Sequence, residues 1–261
     1  MDRVLEFTLE SWKDFYERVD DSVFRSAHFI WRGQRDADWK LSSGLDRLLK
    51  KMPKDAIAVT AEKHLERFKL ASRGRRGQNP NQPRNDNEWW ALAQHNAMFT
   101  PLLDWTESPF VALYFAFEKE EHAASGRRAV WALSEAVVRA RLDEESATEA
   151  PSDPPSRRKQ STLRPGTLEF IRPMQDDNSR LVSQAGLFTR APAGVTIEEW
   201  VNANTNENAP LAGLVKITVP DEDRMNCLCS LNKMNINHLS LFPDLYGAGK
   251  HCNNALELNF D

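Results

Sequence analysis

Apolar and polar positions repeat along this chain with two different periods, and the period separates helix from strand. Apolar residues spaced for one helical face occur in Ser11 to Val19, where Trp12, Phe15, Tyr16 and Val19 line up behind a candidate N-cap, Ser11. The same spacing runs through Asp55 to Arg73 on Ala56, Val59, Leu65, Phe68 and Leu70. Shorter helices are predicted over Ser43 to Lys50, Asn87 to His95, Glu135 to Asp143, Ile197 to Ala203, Asp221 to Met234 and the segment after Leu239 to Pro243. Another is predicted over Asn178 to Ala185, with Gly186 at its C′ position. An apolar run predicts a buried strand at His28 to Trp31, and strand signals occur at Arg127 to Leu133, Gly166 to Ile171, Leu187 to Arg190 and Leu211 to Val219. Strands and helices do not alternate regularly, which favours α+β: a central mixed or antiparallel sheet of short strands surrounded by helices.

The densest local chemistry lies between Leu102 and Ala116, LLDWTESPFVALYFA. A short apolar lead-in reaches a polar corner of Asp104, Thr106, Glu107 and Ser108, and a helix is predicted to start at Ser108-Pro109. The run after Pro109 is apolar nearly all round, so this helix should be buried, extending to about His122. Two readings stand side by side: a polar corner that orients a ligand, or simply a well-capped core helix.

Arg32 poses a similar choice. It ends the HFIWR strand, and Gly33 behind it permits a turn or a close approach. A guanidinium delivered by a buried strand needs either an internal carboxylate, Asp104 or Asp38, or a ligand phosphate. Gln94 and His95 close the helix just before the corner, so His95 could work as a base oriented by Asp104, or serve as a C-terminal partner of the helix dipole. The basic loop Arg73-Gly74-Arg75-Arg76-Gly77 can likewise touch phosphates or complement the helix before it.

Composition narrows the picture. At 261 residues with 41% hydrophobic content the chain can bury a proper core. A net charge of −4 gives nucleic-acid binding no help from the whole-protein field. Cys227, Cys229 and Cys252 match neither a disulfide framework nor a strong zinc spacing, so no metal is expected. No signal-like leader and no apolar run of membrane-spanning length is present, which points to a cytoplasmic protein with no membrane contact. The Pro-, Ser- and charge-rich residues 144–161 are expected to be a flexible insertion within one domain covering 1–261. P-loop, G-x-G-x-x-G, H-E-x-x-H and G-x-S-x-G motifs are all missing.

Four segments, in order, resemble the blocks of the FRG domain, a bacterial and phage domain: WRGQRDADWKLSSGLDR, QHNAMFTPLLDWTESPFVALYFAF, RLVSQAGLFT and INHLSLFPDLYG, spanning about Phe29 to Gly247. The second block departs from the family pattern, having Asn96, Ala97 and Pro101 where an aromatic, a Gly and an Arg are usual. The order of Arg strand, polar corner and late amide is also similar to that of ADP-ribosyltransferase folds. This resemblance implies NAD as substrate, with Arg32, Gly33, Gln34, Trp105, Thr106 and Ser108 at the cofactor. It implies a catalytic set of Arg32, His95, Asp104, Ser108 and Gln184. Arg32 would grip a phosphate, Ser108 would support the nicotinamide ribose, and Gln184 would bind the ribose hydroxyl while positioning and electrostatics do the chemistry. An amide at Gln184 cannot carry a Glu's charge, so another acid would be needed or transfer would be slow. The family settings imply a toxin or anti-phage effector acting on a nucleic acid or protein, with an antitoxin or defence protein as partner. The alternative is a non-catalytic module that senses a nucleotide, nucleic acid or phage component.

Overall fold

The computed structural model describes residues 4–25, 27–76, 82–140, 166–173, 179–204 and 213–258. The insertion expected at 144–161 lies outside them. The architecture is α+β. A seven-stranded sheet has the order β1-β7-β4-β2-β3-β6-β5, from β1 Val4–Thr8, β2 Phe29–Gln34, β3 Leu102–Thr106, β4 Arg127–Ser134, β5 Glu169–Ile171, β6 Gly186–Arg190 and β7 Leu214–Pro220. The pair β1 and β7 is parallel and every other pair is antiparallel, so the sheet is mixed. No helix among the described residues is long and apolar enough to cross a membrane.

Central β4 explains the layering. Seven of its eight residues are buried, as an unbroken apolar run between two sheet faces requires. Val130 and Ala132 pack on one face with Phe29 and Trp31 of β2 and with α6, Pro109–Phe117. Ala129, Trp131 and Leu133 pack on the other face with Trp200 and Val201 of α9, Ile197–Asn204. A third cluster, at the β6 end, joins Leu102 and Phe188 to α3 Gly44–Leu49, α4 Lys54–Ala71 and α5 Asp86–His95 through Leu45, Leu65 and Trp90. The remaining helices are α1 Phe15–Val19, α2 Ser22–Arg25, α7 at 135–140, α8 Ser179–Ser183, α10 Arg224–Lys233, α11 His238–Leu241 and α12 Leu245–Leu258.

The N-terminus of α6 is built as its sequence predicts. Ser108 is extended and its hydroxyl accepts from the Val111 amide at 3.3 Å, with Pro109 in the first turn. The helix is shorter than expected, ending at Phe117 instead of near His122. Two guanidinium groups account for the stop by taking carbonyls that would otherwise lack partners. Arg128 donates to the Ala116, Lys119 and Glu121 carbonyls, and Arg224 donates to those of Phe117, Glu118 and Lys119.

Three local expectations change. Asp104 and Thr106 belong to β3, so the corner shrinks to Glu107-Ser108, because Leu103 and Trp105 alternate into the core as strand residues. Ala185, with φ +44, occupies the left-handed position after α8, while Gly186 opens β6 and lies against Leu181. Val4–Thr8 forms a strand that its half-exposed pattern did not announce. In the basic loop after α4, Arg75 donates to the Ala71 carbonyl at 2.8 Å, in keeping with a helix-end role.

Candidate functional site

Strands β2 and β3 share only the register pair Trp31 and Thr106. Beyond it β2 continues along β4, through Arg32, Gly33 and Gln34 opposite Trp131, Val130 and Ala129, while β3 continues along β6. The two strands therefore diverge, and a cleft of about 1020 Å³ opens where their ladder would otherwise run. Arg32, Gly33, Gln34, Asp104, Trp105, Thr106 and Gln184 all line it. Seven residues singled out from sequence thus converge on one cavity.

Arg32 spans the gap. Its Nη1 donates to the Asp104 carbonyl oxygen at 2.7 Å, taking an acceptor that a closed ladder would use, and lies 3.7 Å from the Asp104 carboxylate. The internal partner foreseen for Arg32 is thus Asp104, though mainly through its backbone. Asp104's side chain is 60% exposed, so the pair is only partly shielded. The Nε of Arg32 is buried with no hydrogen-bond partner. Burial pushes the Arg32 pKa down, the Asp104 charge opposes this, and the nearby Arg47 adds to the lowering. Arginine stays protonated regardless, so the cleft holds an incompletely satisfied cation.

The other residues of the expected set have been given definite tasks. Asp104 accepts from the Gln94 amide at 3.0 Å, so Gln94, not His95, is the side chain that orients it. His95 is exposed, does not line the cleft, and has its pKa lowered by partial burial and by Arg180. Ser108 also lies outside the cleft lining, its hydroxyl engaged as the α6 cap. The Thr106 hydroxyl donates to the Gln184 carbonyl at 2.7 Å, and the Gln184 side-chain amide donates to the Leu241 carbonyl at 3.1 Å. The Trp105 indole donates to Thr189 and the Gln34 carbonyl oxygen accepts from Trp131, which fixes both side chains.

Apart from Asp38, considered above as a partner for Arg32, several charged cleft residues had no assigned role in the sequence. Arg35, Lys40 and Arg47 bring further positive charge, and Asp38, Glu118 and Glu121 bring negative charge. Arg35 pairs with Glu121 at 2.8 Å and stacks over Trp39, whose ring is 46% exposed. For Arg35, Asp38, Lys40 and Arg47 the signal was their position within the same block as Arg32, in RDADWK and SGLDR, whereas Glu118 and Glu121 lie just beyond the second block. Among the described residues no group of His, Cys, Asp and Glu is arranged to hold a metal ion.

One wall of the cleft rests on a buried histidine. Phe242 lines the cavity and stacks at 4.2 Å on His238, whose Nδ1 meets the Tyr114 hydroxyl at 2.8 Å. Burial, reinforced by Lys119, pushes the His238 pKa down to about 4. The unfolded chain therefore takes up this proton near pH 6.5 and the folded one does not, so stability is expected to fall as pH drops from about 6.5 toward 4. Chemical denaturation at stepped pH should show a shallower fall for His238→Gln; equal slopes would remove His238 as the cause.

The neighbourhood of Ala97 bears on the block that departs from the family pattern. Ala97 sits at φ +61, in the left-handed region, at the place where a glycine is usual. An alanine in this conformation costs about 1–2 kcal/mol.

Residues 27–125 match the family model of the FRG domain. No curated protein and no solved structure matches the chain.

Proposed function

From the match of residues 27–125 to the FRG-domain model we propose that the cleft binds a phosphate-bearing nucleotide, NAD in the first instance, and supports ADP-ribosyl transfer. Every charged side chain lining the cleft falls inside these residues. The observation that carries the reading is Arg32, a partly buried guanidinium whose buried Nε has no partner, at a cavity large enough for a dinucleotide. Phosphate oxygens are the acceptors such a fork takes best.

In this reading Arg32 binds a phosphate while Gly33 keeps the strand floor close to α6. Gln184 faces the ribose, with its amide held by Leu241. Ser108 acts on the site through the α6 cap, not by contact. Because Gln184 carries no charge, stabilisation of a cationic sugar falls to a carboxylate, and Asp38, Asp104 and Glu118 are the cleft carboxylates not paired with Arg35. The setting of a bacterial toxin or anti-phage effector acting on a nucleic acid or protein is carried over from the family resemblance.

The test is incubation of the protein with labelled NAD and candidate acceptors, beside a binding titration. Wild type should bind NAD and transfer label, and Arg32→Ala should lose both, with binding weakened about 10- to 100-fold. Binding without turnover, still abolished by Arg32→Ala, would favour a sensing module in which Gln184 is a recognition group. No binding by either protein would sink the proposal.

A further inference from the structure

The charge around the cleft does not balance evenly. Arg35 is paired with Glu121, and Lys119 lies 3.7 Å from Glu118, which accounts for two of the cations on the lining. Lys40 and Arg47 line the same cavity as Arg32, and among the described residues neither has a carboxylate partner. The only hydrogen bond described for the Arg47 guanidinium is its donation to the Ser42 carbonyl. Asp38 is the one further acid on that wall. Arg47 is close enough to Arg32 for the two charges to repel.

Placing like charges together at a concave site is unfavourable unless an anion joins them. The local fold nevertheless holds them there. Ser43 caps α3 by accepting from the Asp46 amide at 3.0 Å, which fixes the turn that carries Arg47. The Gln34 amide donates to the Lys40 carbonyl at 3.3 Å, which ties the Lys40 backbone to β2. Beside them Trp39, 46% exposed and with Arg35 over one face of its ring, presents aromatic surface at the rim.

We infer that Arg32, Lys40 and Arg47 form a clamp for two linked phosphates, with Trp39 as the platform for an attached ring, so that the cleft selects nucleoside diphosphates over monophosphates and nucleosides. This rests on the nucleotide reading of the cleft and sharpens it. One phosphate lies on Arg32 inside the cleft and the other on Arg47 and Lys40 toward its mouth. Bidentate guanidinium contacts to each phosphate supply the discrimination. Stacking on Trp39 adds affinity that is largely indifferent to the identity of the ring.

Calorimetric titration of the full chain with inorganic phosphate, inorganic pyrophosphate, adenosine, AMP and ADP tests this. Pyrophosphate and ADP should bind at least about tenfold more tightly than phosphate and AMP, respectively. Arg47→Gln should erase that advantage, while Lys50→Gln, an exposed cation just beyond α3, should leave it unchanged. Trp39→Ala should weaken ADP about tenfold and leave pyrophosphate as in wild type. Absence of pyrophosphate binding, or equal losses in Arg47→Gln and Lys50→Gln, overturns the clamp. A clamp that behaves as described without any NAD-dependent transfer would fail only the catalytic proposal. NAD binding and transfer that need Arg32 but ignore Arg47→Gln would fail only the clamp.

Discussion

Gly33→Ala is expected to destabilise the protein by about 3 kcal/mol or more, the upper range for an overpacked core. A Cβ at this position would lie 2.0 Å from the Ala112 carbonyl oxygen and 2.5 Å from the Ala116 nitrogen, both backbone atoms of α6. Neither side can move cheaply. Strand β2 is held in register along β4 over six residues, and α6 is anchored at both ends, by Ser108 at its start and by Arg128 and Arg224 at its finish. Urea unfolding of the variant should therefore show a much lower midpoint, and any folded fraction should have α6 displaced from the cleft floor. A loss below about 0.5 kcal/mol would mean that the contact between β2 and α6 is not the close one described.

Asp221→Ala should cost about 3–5 kcal/mol, because it strands a buried cation. Arg128 is fully buried, and its Nε donates to Asp221 Oδ1 at 2.5 Å while its other nitrogens hold the end of α6. Removing the carboxylate leaves that charge uncompensated. Combining Asp221→Ala with Arg128→Met should recover part of the loss, since no charge is then left behind, and no recovery would argue against the pair as the cause. Burial pushes the Asp221 pKa up, yet the His122 and Arg128 hydrogen bonds outweigh it and hold the carboxyl below its ordinary value of 3.8. The sign follows directly: the contribution is complete above about pH 4 and disappears as pH falls through the lowered folded value. Acid unfolding of Asp221→Ala should lack this component.

The cleft and the fold differ in how far short-range sequence determines them. Two caps were legible because they are local: Ser11 and Ser108 each accept from an amide two or three residues on. Central β4 was legible because burial on both faces leaves an unbroken apolar run. Strand β1 was not, since only pairing with β7, more than 200 residues away, makes Val4–Thr8 a strand. Strand β3 was read as an apolar lead-in to a corner because its exposed Asp104 sits where the sheet splits, and a split is a property of two strands together. For the same reason Arg32, Asp104, Thr106 and Gln184 could be picked out by type and order, while Lys40 and Arg47 could not. Their significance lies in having no carboxylate close by, which only the assembled cleft displays.

The parallel pairing of β1 with β7 also sets a timetable for the ribosome. Strand β4 needs β7 on one side, yet about 80 residues separate Ser134 from Leu214, so at ordinary synthesis rates β4 waits about 4–16 s for its neighbour. During that interval β1 also has no partner, and the half-sheet of β2, β3 and β4 presents an apolar open edge to the cell. The cleft too is completed late in synthesis, because β3 diverges from β2 along β6 and Gln184 and Phe242 supply part of its lining.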